Sequence, residues 1–179
     1  MADTTASKER SRVVTGMFKD RESAESAYQS VTDRGYKNED VNLLMSADTR
    51  KKHFSSDDGV ETELGNKALK GAGAGSAIGG TVGAIVAVIA AAATLAIPGL
   101  NIIAAGPIVA ALTGAGAGGL AGGLIGALVG WGIPEERAKA YESGIKDGGI
   151  VMGVNPRNDE DAEYFEKEWT KNRGEQIYR

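Results

Sequence analysis

The sequence predicts an α+β fold, a ferredoxin-like β-α-β-β-α-β sandwich with a long glycine-zipper α-helical hairpin inserted between strands 2 and 3. Three observations lead there. Every Lys, Arg, Asp, Glu and His lies outside residues 71–134, so two charged flanks enclose a run of 64 uncharged residues. Each flank reads as strand, helix, strand. The flanks also share a weak internal repeat: Val14, Thr15, Gly16 and Met17 match Val151, Met152, Gly153 and Val154, Ala24-Glu25 match Ala162-Glu163, and Arg34-Gly35 match Arg173-Gly174. Two such units related by a pseudo-twofold make a four-stranded antiparallel sheet with helices on one face.

The chain divides accordingly into a disordered N-terminus (1–11), a first half-domain with its connection (12–66), the glycine-zipper hairpin (67–133) and a second half-domain (134–179). "RVVTGMF" (12–18) is rich in β-branched and aromatic residues and predicts a strand. Asp20 offers an N-cap to a helix that carries Ala24, Ala27, Tyr28 and Val31 on one face. That helix ends at Arg34-Gly35, where glycine accepts the left-handed cap conformation. "VNLLM" (41–45) is the second strand, and residues 46–66 read as a solvated connection in which "GVETEL" could add a short strand. After the uncharged run, Pro134 with Glu135 and Glu136 starts a helix reaching about residue 147. "GGIVMGV" (148–154) is a strand, residues 158–174 form a helix with acidic residues first and basic residues last, and "EQIYR" closes as the final strand.

The uncharged run invites three readings. Gly114, Gly116 and Gly119 satisfy G-x-G-x-x-G, but a glycine- and alanine-rich run gives such matches by chance, the nearest carboxylate is Glu135 of the next helix, and no P-loop Lys-Ser or Lys-Thr pair is present. A flexible linker would leave Ile78, Val82, Ile85, Val86, Val88, Ile89, Leu95 and Ile97 in water. The spacing fits a third reading. Gly71, Gly75, Gly79 and Gly83 recur every four residues, as do Gly114, Gly118, Gly122, Gly126 and Gly130, and positions four apart form one helical ridge over which a partner backbone approaches closely. Two helices follow, at about 68–97 and 107–131, joined by a turn containing Pro98, Gly99, Gly106 and Pro107. Their lengths, roughly 45 and 37 Å, exceed a hydrocarbon core of about 30 Å. Lys67, Lys70, Arg137 and Lys139 flank the run and Trp131 suits an interface, so a lipid-embedded hairpin would keep both termini in the cytoplasm.

Few of these hairpin residues are strongly apolar, and small residues occupy several faces. One hairpin partner cannot use them all, which predicts a homo-oligomer, either in a lipid bilayer or as a soluble particle or filament with the hairpins buried inside. Chemistry is sparse elsewhere. Residues 1–70 hold 12 basic and 13 acidic side chains and residues 135–179 hold 8 and 11, for a net charge of −4, so neither flank carries the basic footprint of a nucleic-acid binder. Without cysteine there is no thiolate nucleophile, disulfide framework or Cys-based zinc site. His53, the single histidine, sits beside Lys51 and Lys52 and reads as a surface residue rather than a ligand or base. Asp57-Asp58 reads as a solvated turn, the acidic run at 159–161 as a helix N-terminus, and Tyr164, Phe165 and Trp169 as packing. The expectation is a non-enzymatic protein with no cofactor or metal; a ligand-sensing module is the further alternative.

The opening "VVTGMFKDRESAESAYQSVTDRGY", the hairpin turn "IPGLNIIAAGPI" and the exit "GWGIPEERAKAYESGIKDGGIVMGV" together resemble the bacterial general stress protein 17M-like family, which includes heat-induced and low-temperature-induced proteins. The resemblance spans about residues 12–179. It implies a stress-associated bacterial protein without an established enzymatic activity and without catalytic residues to carry over; the hairpin and its flanking charges place it at the inner membrane or, alternatively, in a cytoplasmic assembly.

Overall fold

A computed structural model describes residues 13–54, 85, 94–97, 101–114 and 123–179 of the chain. Its framework is an α+β arrangement around one antiparallel sheet. In the first flank, β1 (Val14–Phe18) leads into α1 (Arg21–Asp33), and β2 (Val41–Ser46) follows a short 3-10 turn. In the second, α5 (Glu135–Lys146), β5 (Ile150–Val154), α6 (Asp159–Lys171) and β6 (Glu175–Tyr178) follow in order. The caps explain the boundaries. Asp20 accepts a hydrogen bond from the Ser23 amide at the start of α1, and Asn158 accepts one from the Asp161 amide at the start of α6.

Six strands line up in the order β3-β4-β2-β5-β1-β6, with every neighbouring pair antiparallel. β5 is central: Val154 stands opposite both Val14 and Val41, and Ile150 opposite both Phe18 and Met45. Because strand side chains alternate, the inner strands β1, β2 and β5 feed two cores. Val14, Phe18, Leu43, Met45, Ile150 and Met152 meet α1 and α6 in a first core, where Trp169, Phe165 and Tyr28 pack. Val13, Met17, Leu44 and Val151 meet α5 and its neighbours in a second.

Three expectations need correction. The sheet is not covered on one face only: α3 (Ile108–Gly114), α4 (Gly123–Gly130) and α5 cover the second face, because β1, β2 and β5 carry apolar residues on both sides and each side must leave water. The connection after β2 is not wholly solvated. α2 (Ala47–Phe54) forms there, started by Ser46 Oγ accepting from the Thr49 amide and anchored by Phe54, which is buried in the first core under the Arg21 guanidinium. The first zipper helix does not reach Ile97. β3 (Thr94–Ile97) and β4 (Ile102–Ala105) pair with each other, and β4 pairs with β2, so both segments are strands of the sheet instead of parts of a helical hairpin. Their β-branched Thr94, Ile97, Ile102 and Ile103 favour that extended pairing. The second zipper helix is helical at α3 and α4, where described. Trp131 is partly buried and packs against the second core.

Ile85, from the expected first zipper helix, is helical and fully buried in the first core. The expected disordered N-terminus and the "GVETEL" strand lie outside the described residues, as do Lys67, Lys70, Pro98, Gly99 and the zipper positions Gly71, Gly75, Gly79, Gly83, Gly118 and Gly122.

Candidate functional site

The layer formed by α3, α4 and α5 places two helices of the uncharged run, α3 and α4, on the second face of the sheet. Its placement begins with Asn42, a polar residue at a fully buried position of β2. Asn42 Oδ1 accepts from the Ile108 amide at 2.5 Å and so caps α3, while its Nδ2 donates to the Gly153 carbonyl at 3.4 Å. Gly106 precedes that helix at φ +95, and a Cβ there would lie 2.2 Å from the Val41 carbonyl oxygen, so only glycine lets the chain turn from β4 into α3 so close to β2. Leu124, Ala127 and Leu128 then carry the inner side of α4 into the second core.

α5 sits close to the sheet because its contact surface is cut away. A Cβ on Gly144 would fall 1.9 Å from Met17 Sδ, and one on Gly153 of β5 would fall 2.4 Å from the Trp131 ring. Between them stands Tyr141, fully buried, whose hydroxyl shares a hydrogen bond with Thr15 Oγ1 at 2.9 Å and donates to the Gln176 carbonyl at 2.6 Å. Burial pushes the Tyr141 phenol up to about 12, against the opposing influence of the Thr15 hydrogen bond and the Arg137 charge. Gln176 reaches that position through a bulge in β6, where the register to β1 shifts and its φ is +52.

The outward side of α4 differs from that of α5. Ile125 and Gly126 are half-buried, Val129 and Gly130 are exposed, and a Cβ on Gly130 would meet no heavy atom within 4 Å. α5 instead presents Glu135 paired with Lys139 at 2.6 Å and Glu142 paired with Lys146 at 2.6 Å. The hydrogen bond from Lys139 lowers the Glu135 carboxyl and correspondingly raises the Lys139 ammonium. Arg137 donates to Gln176 Oε1 and lies 5.8 Å from the Tyr178 ring centroid.

The expected packing residues are therefore only partly brought together. Gly126 and Gly130 share α4 and Gly114 ends α3, while Gly106 and Pro107 turn the chain from β4 into α3. Of the three glycines with the tightest neighbours, Gly106 was read as part of the hairpin turn, whereas Gly144 and Gly153 stand in the charged second flank and were not among those read as a zipper. Among the described residues no group of three His, Asp or Glu side chains could hold a metal ion. The acidic start of α6 is a structural clamp: Asp161 accepts from Tyr36 at 2.6 Å and from Arg34 at 2.9 Å, tying α6 to the end of α1.

The chain is thus an α+β protein whose antiparallel sheet is covered by helices on both faces. Comparison with protein-family models, with curated proteins and with solved structures returns no match.

Proposed function

We propose that this protein is a non-enzymatic, self-associating protein of the bacterial stress response, built on a ferredoxin-like core. The core reading is supported by the order β2-β5-β1-β6, in which two strand-helix-strand units interleave, α1 and α6 share one face, and residues 47–149, α5 included, enter between β2 and β5. The stress association rests on the family resemblance of the sequence.

The observation that carries self-association is the outer side of α4. Ile125, Gly126, Val129 and Gly130 form an uncharged strip with small residues four apart, beside a helix whose own outer side is charged. Such a strip admits a second backbone at short distance. A homo-oligomer joined by these strips buries them and leaves the charged flanks in water. A bilayer-embedded hairpin is the second reading, favoured by the 64-residue uncharged run with Lys67, Lys70, Arg137 and Lys139 at its ends. The pairing of β4 with β2 favours protein contacts over lipid contacts, and no helix among the described residues is long and apolar enough to cross a membrane.

Light scattering of the purified full-length chain, with Gly130→Leu and Val129→Lys beside the unaltered protein, tests the assembly. Both sites have open space in the protomer, so circular dichroism should be unchanged while the particles become smaller. Unaltered particle size in both variants would overturn the role of the strip. Flotation with liposomes after a carbonate wash separates the two environments: protein that stays dense is a soluble assembly, and protein that floats is embedded.

A further inference from the structure

We propose that a cleft at one end of the sheet binds a small hydroxylated organic phosphate, such as a sugar phosphate. The cleft has a volume of about 480 Å³ and lies where β2 ends, β4 begins, and α2 meets the end of α5. That volume falls within the range of roughly 300–1,000 Å³ typical of small-molecule sites. None of its lining residues belongs to the outer strip of α4, so the inference stands apart from self-association.

Its floor is fixed. Thr49, only 4 % exposed, donates to the Gly148 carbonyl at 3.2 Å and shares a hydrogen bond of 2.8 Å with Ser46 Oγ. Asn101 adopts φ +53, a conformation that asparagine tolerates better than most residues. From there its carbonyl accepts from the Ala47 amide at 2.8 Å and its Nδ2 donates to Asp48 Oδ2 at 2.8 Å. Ile102 and Ile145 are buried among the lining residues. The starts of α2 and β4 and the end of α5 are therefore held together before any ligand arrives, which lowers the ordering cost of binding.

The lining carries two kinds of charge. Lys19, Lys52 and Lys146 supply three ammonium groups, with His53 beside them, and Asp48 and Asp147 supply two carboxylates. Lys19 is paired with Glu175, both well exposed, and an ion pair of that kind contributes little, while Lys146 is paired with the mostly buried Glu142. Exchanging the Glu175 carboxylate for a ligand phosphate at Lys19 therefore costs little. Lys52 is exposed and has no ion-pair partner among the described residues. Ammonium groups act as point charges toward phosphate. The carboxylates repel a bare anion but accept hydrogen bonds from hydroxyls. A ligand with phosphate at one end and hydroxyls at the other satisfies both sets, whereas inorganic phosphate satisfies one and is opposed by the other.

Calorimetric titration of the full-length protein with glycerol phosphate, ribose phosphate and glucose phosphate tests this, with inorganic phosphate and glucose as comparison probes. At least one organic phosphate should bind more tightly than either comparison probe. Lys52→Glu should weaken that binding by at least tenfold, as loss of a charged hydrogen bond does, while Lys37→Glu, an exposed lysine outside the cleft, should leave it unchanged. Absence of binding across all three organic phosphates overturns the proposal. So does inorganic phosphate binding as tightly as they do, or undiminished binding in both Lys52→Glu and Lys146→Glu.

Discussion

Gly130 and Gly153 show how one residue type serves opposite ends. At Gly153 a Cβ would meet Trp131 Cη2 at 2.4 Å and Thr15 Cγ2 at 3.2 Å, so the glycine is the seat of the indole ring. Gly153→Ala should therefore destabilise the fold by about 1–3 kcal/mol, the usual cost of overpacking, and should change tryptophan emission as Trp131 is displaced. At Gly130 there is open space, and alanine is the better helix former by up to about 1 kcal/mol, so Gly130→Ala should be neutral or slightly stabilising in the protomer. Chemical denaturation followed by fluorescence reads both; equal losses at the two sites would contradict the packing described. Sequence pattern pointed to Gly130, where the repeat of four is plain, and passed over Gly153, because close approach across a sheet face leaves no local period. Asn42 and Tyr141 were missed for the same reason: their partners lie 66 and 126 residues away along the chain.

Helices with one polar and one apolar side were legible, as were short β-branched runs set between charged or turn residues, whereas the uniformly uncharged segment was not. α1, α5 and α6 follow from their apolar faces, caps and terminal charges, and β1, β2, β5 and β6 from short runs rich in β-branched and aromatic residues between turns. α2 buries only Thr49 and Phe54, too little to show a period among polar neighbours. β3 and β4 are uniformly uncharged, so strand and helix patterns cannot be told apart there, and Pro98-Gly99 suits a strand turn as well as a helix end. The cleft was equally hidden, since its lining comes from four separated stretches of chain. Beside the β4–β2 pairing, one buried polar side chain of β2 ties the insertion to the sheet, which yields an element-scale prediction. Asn42→Val removes the acceptor of the Ile108 amide and the Nδ2 donor to Gly153 within a buried site, for an expected loss of about 1–3 kcal/mol. Amide exchange should rise first in α3 and β4 and leave α1 and α6 protected. Uniform loss of protection would mean that Asn42 holds the whole sheet and not the insertion.

At the scale of the whole molecule, β2, β5, β1 and β6 come alternately from the two flanks, so neither flank owns a sheet and both cores share one set of strands. Buried tyrosines report on each core: Tyr28 and Tyr36 on the first, Tyr141 on the second. Burial pushes each of the three phenols from 10 up to about 12, and for Tyr36 the hydrogen bond to Asp161 acts in the same direction. The sign follows from linkage: a phenol that holds its proton more tightly in the folded state contributes stability fully present below pH 10 and lost as pH rises toward 12. For Tyr141 this amounts to roughly 2–3 kcal/mol. An alkaline titration that follows phenolate absorbance and far-ultraviolet circular dichroism together should show the three phenols ionising with loss of the sheet, in one step between pH 10 and 12. If the α3–α5 layer instead detaches by itself, an early phenolate phase should precede the dichroism change, and Tyr141→Phe should abolish that phase alone. The shared strands argue for the single step, because exposing the second face uncovers Leu44 and Val151 on the strands that carry Leu43, Met45 and Met152 into the first core.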